Sequence, residues 1–333
     1  MPLKTSFAPL GALPARFRRE RVLIVGCGDV GLRAALGLRH CRVYALTSDA
    51  QRIPALRAAG ITPLLGNLDA PRSLRRLAAL GERVLHLAPP PGAGPIDSRT
   101  RALVQALRQR TAPRALVYGS TSGVYGDCAG QWVSESRPPA ASTARAQRRV
   151  DAEGQLRGWG RGSQGHPRVS VLRIPGIYAP DRVGGTPEAR LRKGTPVLQR
   201  SDDVFTNHIH ADDLARLVGA ALRRGRSNRC YNASDDSGMK MGEYFDLVAD
   251  SFGLPRAPRI SRSEAEQRLS AVQLSFMSES RRLDNRRIRH ELRAQLRYPQ
   301  VADGIAAAKA SQQRQKAINH GGQGEHSESQ GLS

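Results

Sequence analysis

The stretch VLIVGCGDVG at residues 22–31 decides the fold of this chain. Its first four residues are apolar, and a run this short is typical of a buried strand in a parallel sheet. The three glycines match the pattern G-x-G-x-x-G, and a helical pattern follows over residues 30–39. The glycine pattern alone is weak evidence, but a strand before it and a helix after it predict a phosphate-binding turn.

Each glycine of this turn has its own expected role. Gly26 allows the tight turn, Gly28 lets the backbone approach a pyrophosphate, and Gly31 lets the helix pack closely on the strand. The amino end of the helix adds unpaired N–H groups and the positive end of the helix dipole. The alternative is a tight turn that binds no ligand. The residues predicted to bind a dinucleotide here are Gly26, Cys27, Gly28, Asp29, Val30 and Gly31.

Short apolar runs alternate with helical patterns along the first half of the chain, and the rhythm changes after Ser136. This alternation predicts an α/β fold, a Rossmann-type doubly wound parallel sheet with a smaller C-terminal substrate-binding lobe. The predicted strands span 22–25, 42–46, 61–65, 84–87, 115–118 and 169–172. The predicted helices span 30–39, 50–59, 73–80, 98–110, 144–156, 212–222, 239–252 and 285–296.

Composition divides the chain into four segments. Residues 1–20 are predicted to be a flexible arm, and residues 21–175 to be the dinucleotide-binding domain. Residues 176–310 are predicted to form a mixed substrate-binding lobe that returns some elements to the sheet. Residues 311–333 are rich in Gln, Gly, Ser, His and Glu, with almost no core-forming side chains, and are predicted to be a disordered tail.

The chain has 333 residues and a net charge of +23, from 52 Lys and Arg against 29 Asp and Glu. Such an excess can be the electrostatic footprint of a nucleic-acid-binding protein. It can also reflect a coding bias that fills ordinary surface positions with arginine. We favour the second interpretation, because the basic residues are spread along the whole chain without an aromatic-interleaved stripe. We therefore do not expect a nucleic-acid partner.

Other classes of protein are also excluded or favoured by composition. No apolar run approaches the ~18 residues of a membrane span. The cysteines at 27, 41, 128 and 230 form no C-x-x-C pair, so we expect reduced thiols in a cytoplasmic protein and no metal site. Cys27 could gain reactivity from the helix amino end, or could be merely a small tolerated side chain. We expect a small-molecule substrate and leave a homodimer open.

The end of the second predicted strand bears on the choice of cofactor. Sites for NAD usually have an acidic residue here, about 20 residues after the glycines. In this chain Thr47 and Ser48 occupy that place, Asp49 comes late, and Arg52 follows. Hydroxyl groups beside an arginine suit a 2′-phosphate, which favours NADP over NAD. In the alternative, Asp49 caps the next helix and Arg52 is simply solvated.

Several blocks, taken in order, resemble a known family. The chain resembles the extended short-chain dehydrogenase/reductase superfamily, in its NAD-dependent epimerase/dehydratase group and the atypical bacterial YeeZ-like branch. The match covers roughly residues 20–310 and depends on the joint order of the blocks. The blocks are GCGDVG at 26–31, LGNLD at 65–69, APP at 88–90, YGSTSGVYGD at 118–127, LRIPGIYAP at 172–180, NHIHADDL at 207–214 and YNASDD at 231–236.

The resemblance implies where a dinucleotide lies. The implied contacts all follow the carboxyl ends of predicted strands, which is where open parallel sheets bind ligands. They are Asn67 and Leu68 at the adenine, Ala88 and Pro89 at the ribose, and Arg173 and Pro175 beyond the nicotinamide.

The acid/base pair of this family is missing from the chain. Typical members have a Ser or Thr after the fifth strand and Tyr-x-x-x-Lys on the next helix, where the lysine lowers the pKa of the tyrosine. Here Thr121 takes the first place, but Arg145 and Arg149 take the Tyr and Lys places. A guanidinium group, with a pKa above about 12, cannot donate a proton near neutral pH.

Two functions are compatible with this departure. In the first, the protein is an oxidoreductase or epimerase that acts on a small polar, sugar-like substrate. Thr121 and Tyr125 are then the nearest proton carriers, and Arg145 and Arg149 either orient a carboxylate or phosphate or form a solvated helix face. In the second, the protein is a catalytically silent NAD(P)-binding regulatory module. The candidate substrate contacts are Tyr178, Arg182, Asn207 and His208.

Overall fold

The computed structural model describes residues 19–162 and 165–321. Strands and helices alternate through the first half, as the sequence predicts. The strands are β1 (Arg21–Val25), β2 (Arg42–Thr47), β3 (Thr62–Leu65), β4 (Arg83–His86), β5 (Ala115–Thr121), β6 (Trp132–Val133), β7 (Arg168–Ile174), β8 (Gly176–Tyr178), β9 (Val197–Leu198), β10 (His208–His210), β11 (Arg229–Asn232), β12 (Arg259–Ile260) and β13 (Arg282–Leu283). The helices are α1 (Asp29–Leu36), α2 (Ile53–Ala58), α3 (Ser98–Leu107), α4 (Ala144–Trp159), α5 (Glu188–Arg192), α6 (Ala211–Arg224), α7 (Met241–Phe252), α8 (Arg262–Arg268), α9 (Ala271–Met277), α10 (Arg286–Leu292) and α11 (Val301–Gly321).

Within the described residues, the main sheet has seven strands in the order β11-β7-β5-β4-β1-β2-β3. Every pairing in it is parallel. The chain proceeds outward from β1 to β3 on one side and from β4 to β11 on the other, so the direction of winding reverses between β1 and β4. Open parallel sheets bind ligands at such a switch point. The predicted Rossmann-type sheet is thus confirmed, and its switch point lies at the glycine turn after β1.

Helices cover both faces of the sheet, which explains why its central strands are apolar on both sides. Residues 22–25 of β1 are completely buried. On one face the sheet packs against α1, α6 and α10, and on the other against α3, α4 and the turn at 71–77. Burial from two sides fixes β1, and with it the position of the glycine turn.

A third apolar cluster joins α5, α7 and α11 into a lobe beyond the carboxyl edge of the sheet. The short two-stranded pair of β8 and β10 follows directly on β7 of the main sheet. In the pair of β8 and β10, Gly176 lies opposite His208. In the pair of β5 and β7, Thr121 lies opposite Ile174. Because β8 begins two residues after β7 ends, these pairings bring Thr121 and His208 to the same region of the molecule.

Two predicted segments differ from the structure. The helix expected at 73–80 is a 3₁₀ turn over Pro71–Leu77, in which the Ser73 hydroxyl bonds to the carbonyls of Asn67 and Ala70 and competes with α-helical bonding. The tail expected from residue 311 is helical over its first eleven residues, because α11 continues to Gly321 through a proline-free run of good helix formers. Residues 1–18 of the expected arm and 322–333 of the expected tail lie outside the described residues. Among the described helices, none combines the length and apolar character needed to cross a membrane.

Candidate functional site

The turn after β1 has the geometry expected for binding a diphosphate. Gly26 has a φ of +87°, and a Cβ there would lie 2.3 Å from the backbone nitrogen of Ala88, so only glycine fits. A Cβ on Gly31 would lie 3.2 Å from the Gly26 carbonyl oxygen, which shows how closely α1 packs. A Cβ on Gly28, in contrast, would meet no atom of the described residues within 4 Å. The turn is therefore closed on its inner side and open on its outer side.

The first turn of α1 is held in place by a cluster of charges. Gly28 is the N-cap of α1 and has no side chain that could accept a hydrogen bond from the N–H groups of the first helical turn. The Arg33 guanidinium bonds to Asp29 at 3.0 Å, to Asp181 at 2.8 Å and to Asp212 at 2.5 Å. These contacts tie α1 to α6 and to the loop after β8, so the amino end of α1 is fixed and its N–H groups remain available to a ligand.

The segment that follows β2 places an arginine against the glycine turn. The Asp49 carboxylate accepts a hydrogen bond from the Gln51 N–H at 2.8 Å, so it caps the following turn. Thr47 is buried and its hydroxyl bonds to the backbone of Asp49, whereas Ser48 is exposed. Arg52 donates to the Cys27 carbonyl oxygen at 2.6 Å. Arg52 therefore lies against the glycine turn and is not simply solvated.

The residues implied to contact the adenine and ribose form an accessible rim. Asn67 is exposed, and its side-chain oxygen accepts from the Asp69 N–H at 2.9 Å. Leu68 is half-buried against the core, and Pro89 is exposed. Ala88 is the residue on which Gly26 packs. The geometry leaves this rim open along the carboxyl edge of the sheet.

A cleft of about 600 Å³ opens at the carboxyl ends of β5 and β7, between the sheet and the lobe. Thr121 lies on the sheet side, where its hydroxyl oxygen accepts a 3.2 Å hydrogen bond from the Gly123 N–H. The predicted site residues that line this cleft are Thr121, Arg145, Arg149, Pro175, Tyr178, Asn207 and His208.

The two arginines predicted to take the Tyr and Lys places differ in their surroundings. The Arg149 guanidinium donates to the Gly119 carbonyl at 2.8 Å and to the Tyr118 hydroxyl at 3.1 Å, so it holds α4 against β5. Arg145 is exposed, and its guanidinium lies 5.1 Å from the ring centre of Phe276. Arg149 is therefore bound to the backbone, whereas Arg145 lies on an exposed part of α4 beside the Phe276 ring.

Three residues predicted to act near the reacting end of the cofactor or on the substrate do not line the cleft. Tyr125 is fully buried, its hydroxyl donates to Asn232 at 2.8 Å, and burial raises its pKa to about 12. Arg173 is buried and pairs with Glu153 at 2.8 Å. Arg182 pairs with Asp29 at 3.2 Å beside the phosphate turn. These are corrections to the sequence interpretation, and each arises because a distant residue supplies an internal partner.

The lobe contributes aromatic and imidazole side chains to the cleft. His208 is buried with its ring centre 4.4 Å from that of Tyr244, and burial lowers its pKa to about 4, so its imidazole is neutral at physiological pH. The Tyr178 hydroxyl donates to the Gln300 carbonyl oxygen at 3.4 Å. The Asn207 amide bonds to the backbone of residues 281 and 283. Asn207 therefore shapes the wall rather than offering free polar atoms.

Sequence reasoning missed several lining residues. Glu279 and Arg281 form a 2.8 Å ion pair in the cleft, and Arg190 lies over the ring of Phe245 at 4.6 Å. No local pattern marks these residues, because α5, α7 and the segment after α9 come together only in the folded lobe. The described residues contain no group of three or more His, Cys, Asp or Glu side chains suited to hold a metal ion.

We expect the Cys27 thiol to be unreactive although it lies in the phosphate turn. Burial raises its pKa to about 11, against the opposing charge of Arg52. At pH 8 its thiolate fraction should be about 100-fold lower than that of a free cysteine. Mass spectrometry after iodoacetamide treatment of the native protein measures this, with the unfolded protein as the control. Alkylation of native Cys27 as fast as in the unfolded chain would contradict the geometry.

No family model and no curated protein matches this chain, but solved structures do. A functionally unknown conserved protein from Silicibacter pomeroyi is 29% identical, with a TM-score of 0.73, over 88% of this chain and 99% of that one. A nucleoside-diphosphate-sugar epimerase from Pseudomonas aeruginosa is 18% identical, with a TM-score of 0.71, over 90% and 98%. A double mutant of a dTDP-glucose 4,6-dehydratase from Streptomyces venezuelae, solved with NAD, is 20% identical, with a TM-score of 0.69, over 90% and 98%. This chain therefore has the Rossmann-like fold of these epimerase and dehydratase structures.

Proposed function

We propose that the protein is an NAD(P)-dependent oxidoreductase or epimerase-like enzyme that acts on a small polar, sugar-like substrate. The observation that carries the proposal is the shape of the glycine turn. Gly26 packs against Ala88 on its inner side, and Gly28 leaves its outer side open to a ligand. The similar dehydratase was solved with NAD, and the similar epimerase is named for nucleoside-diphosphate sugars. Both support a dinucleotide along the carboxyl edge and a substrate in the adjoining cleft.

The residues present fit a dinucleotide. Backbone N–H groups of residues 29–31 would bind the diphosphate, and the rim at Asn67 and Pro89 would hold the adenosine half. A bound nicotinamide would supply hydride acceptance or donation. Thr121 would orient the reacting oxygen of the substrate, because it lines the cleft at the end of β5 and its hydroxyl keeps a proton to donate. Tyr125 does not take part in this proposal, because its hydroxyl is buried on Asn232.

The second candidate is a catalytically silent NAD(P)-binding module. The observation that favours it is the bonding of Arg149 to the backbone at the place of the family's lysine, with Arg145 at the place of the tyrosine. Fluorescence titration with NADPH and NADH tests cofactor binding, which both candidates require. A panel of sugars, sugar phosphates and sugar nucleotides, followed by the absorbance of the reduced nicotinamide, separates them. Turnover of any compound rules out the silent module, and tight cofactor binding without turnover supports it.

We further propose a preference for NADP, supported by Arg52. Replacing Arg52 with Ala should weaken NADPH binding by about tenfold or more, because a charge-assisted contact with the 2′-phosphate is lost. NADH has no 2′-phosphate, so its affinity should change far less. Fluorescence titrations with both cofactors measure the ratio. An equal loss for NADPH and NADH would show that Arg52 only supports the Cys27 carbonyl, and the preference would then have to be abandoned.

A further inference from the structure

Arginines mark the amino edge of the main sheet, which is the edge formed by the first residues of its strands. In six of the seven strands the first residue, or the residue directly before it, is an arginine. Because all the strands are parallel and neighbours lie about 4.8 Å apart, these positions form a row about 24 Å long. Across the sheet from β2 to β11, the members of this arginine row are Arg42, Arg21, Arg83, Arg114, Arg168 and Arg229.

The helices that connect these strands end at the same edge and add further positive charge. Five exposed arginines lie in the last turn of such a helix or shortly beyond it, and within the ranges 19–162 and 165–321 none of them pairs with a carboxylate. A basic residue in the last turn complements the helix dipole, but Arg39 and Arg110 lie beyond the ends of α1 and α3. The five are Arg39, Arg57, Arg108, Arg110 and Arg223.

Carboxylates do not neutralise the amino edge. The turns that lead into its strands, at 37–41, 59–61, 78–82, 108–114, 160–167 and 225–228, contain one acidic residue, Glu82. Glu82, Glu20 and Glu291 each pair with a member of the arginine row, at 3.3, 2.6 and 2.5 Å. At the opposite edge, the turns after five strands contain aspartates, which are Asp29, Asp49, Asp69, Asp97 and Asp127. The arginines are spread along the sequence, but the alternation of strands and helices collects many of them at one edge.

Two members of the arginine row lie side by side. Arg83 and Arg168 both donate to the Leu222 carbonyl oxygen near the end of α6. Burial lowers the pKa of Arg168, and the charge of Arg83 lowers it further. An anion over the row would relieve this repulsion between like charges.

We propose that the amino edge binds the phosphate backbone of a nucleic-acid duplex without reading its sequence. A duplex carries one negative charge per about 1.7 Å of its axis, so it faces the whole arginine row at once. A protein partner fits this surface less well, because the centre of a stable protein interface is apolar. Among the exposed large hydrophobic side chains of the described residues, only Leu36 lies at this edge.

A single strand also fits less well, because its binding depends on stacking bases on aromatic rings. Among the described residues, the large exposed aromatic side chains Trp132 and Phe276 follow the carboxyl ends of strands and do not lie at the amino edge. A bound duplex would leave the glycine turn at the opposite edge free, so duplex binding does not depend on cofactor binding. Duplex binding replaces the expectation, drawn from the sequence, that this protein has no nucleic-acid partner.

Fluorescence anisotropy with a labelled DNA duplex of about two helical turns tests duplex binding by the full-length protein. We expect a micromolar Kd at about 100 mM salt, with no dependence on base sequence. The logarithm of the binding constant should fall with the logarithm of salt concentration with a slope of about −4 or steeper, because each contacted phosphate contributes about −0.9. An RNA duplex should bind within about threefold of the DNA duplex, since only phosphates are contacted.

Replacing Arg39, Arg114 and Arg223 together with Gln removes charge from the edge. These exposed side chains make no hydrogen bond or ion pair within the described parts of the chain, so the fold should persist. We expect duplex affinity to fall by about tenfold or more and the salt slope to become shallower by about 2 to 3. NADPH affinity should not change, because the glycine turn lies at the opposite edge of the sheet.

The matched control replaces Lys193, Arg200 and Arg268 with Gln. All three are exposed and belong to the lobe, so the net charge falls equally while duplex affinity should change by less than about threefold. An equal loss in both triple variants would show that net charge alone attracts the duplex, and would refute the edge. Binding at the edge would also be refuted if no duplex bound up to about 100 μM at low salt. The same holds if single-stranded DNA, poly-aspartate or phosphatidylserine vesicles bound as tightly as the duplex.

Discussion

Gly28→Asp should abolish dinucleotide binding while the fold remains intact. The new carboxylate would project from the open side of the turn toward the diphosphate, and opposed negative charges at this distance cost several kcal/mol, or at least about 100-fold in affinity. The fold should tolerate the change, since no described atom lies within 4 Å of the added Cβ and Asp is a preferred N-cap residue. NADPH fluorescence measures the affinity, and circular dichroism with thermal melting measures the fold.

Two further glycines provide the controls. Gly154 on α4 is also open, so Gly154→Asp adds the same charge away from the turn and should leave NADPH binding unchanged. Gly26→Ala, unlike Gly28→Asp, should lower the thermal stability of the fold. Its Cβ would lie 2.3 Å from the Ala88 nitrogen, at a φ of +87°. Normal NADPH affinity in folded Gly28→Asp would show that the diphosphate does not lie on this turn.

Arg173→Met should cause the largest loss of stability among the substitutions considered. Arg173 and Glu153 are buried, with exposed side-chain fractions of 2% and 4%, and pair at 2.8 Å. Glu153 also accepts from the Ser120 hydroxyl at 2.6 Å. Removing the guanidinium leaves a buried carboxylate without its counter-charge, which typically costs about 3–5 kcal/mol of unfolding free energy. We expect a drop in Tm on the order of 10 °C, measured by calorimetry or dye-based melting.

The partner variants distinguish the ion pair from simple loss of volume. Combining Arg173→Met with Glu153→Leu removes both charges and should recover part of the stability, because a buried pair can often be replaced by apolar side chains. Arg256 and Asp250 form a comparable 2.6 Å pair on the surface, and Arg256→Met should have no measurable effect. If Arg173→Met melted like the native protein, the buried pair would not be what holds α4 on the sheet.

The conformation of the glycine turn and the main sheet were predictable because their signals are local. The strand predicted at 22–25 is β1 apart from one residue, and the helix predicted to begin at Val30 begins at Asp29. Strand alternation and glycine conformation depend on residues next to each other in the chain. Arg52 follows β2, the neighbour of β1 in the sheet, and contacts Cys27, while its role toward a cofactor stays a prediction.

The substrate side was much less predictable, because arginine side chains take their roles from distant partners. Arg173 followed a strand in the same way as Pro175, yet Glu153 draws Arg173 inside while Pro175 lines the cleft. Tyr125 was near Thr121 in the chain, but its hydroxyl turns to Asn232. Arg190 carries no motif, and its stacking depends on Phe245, far along the chain.

By itself, the sequence determined the parallel sheet, the glycine turn and the lack of any Tyr or Lys on the helix at 144–159, because each of these is written in neighbouring residues. Only the tertiary structure decided which of the many arginines are internal partners, which hold the backbone and which remain free in the cleft. The physical reason is that a guanidinium group on a long side chain bonds to whatever acceptor the fold brings within its reach, and those acceptors come from remote segments.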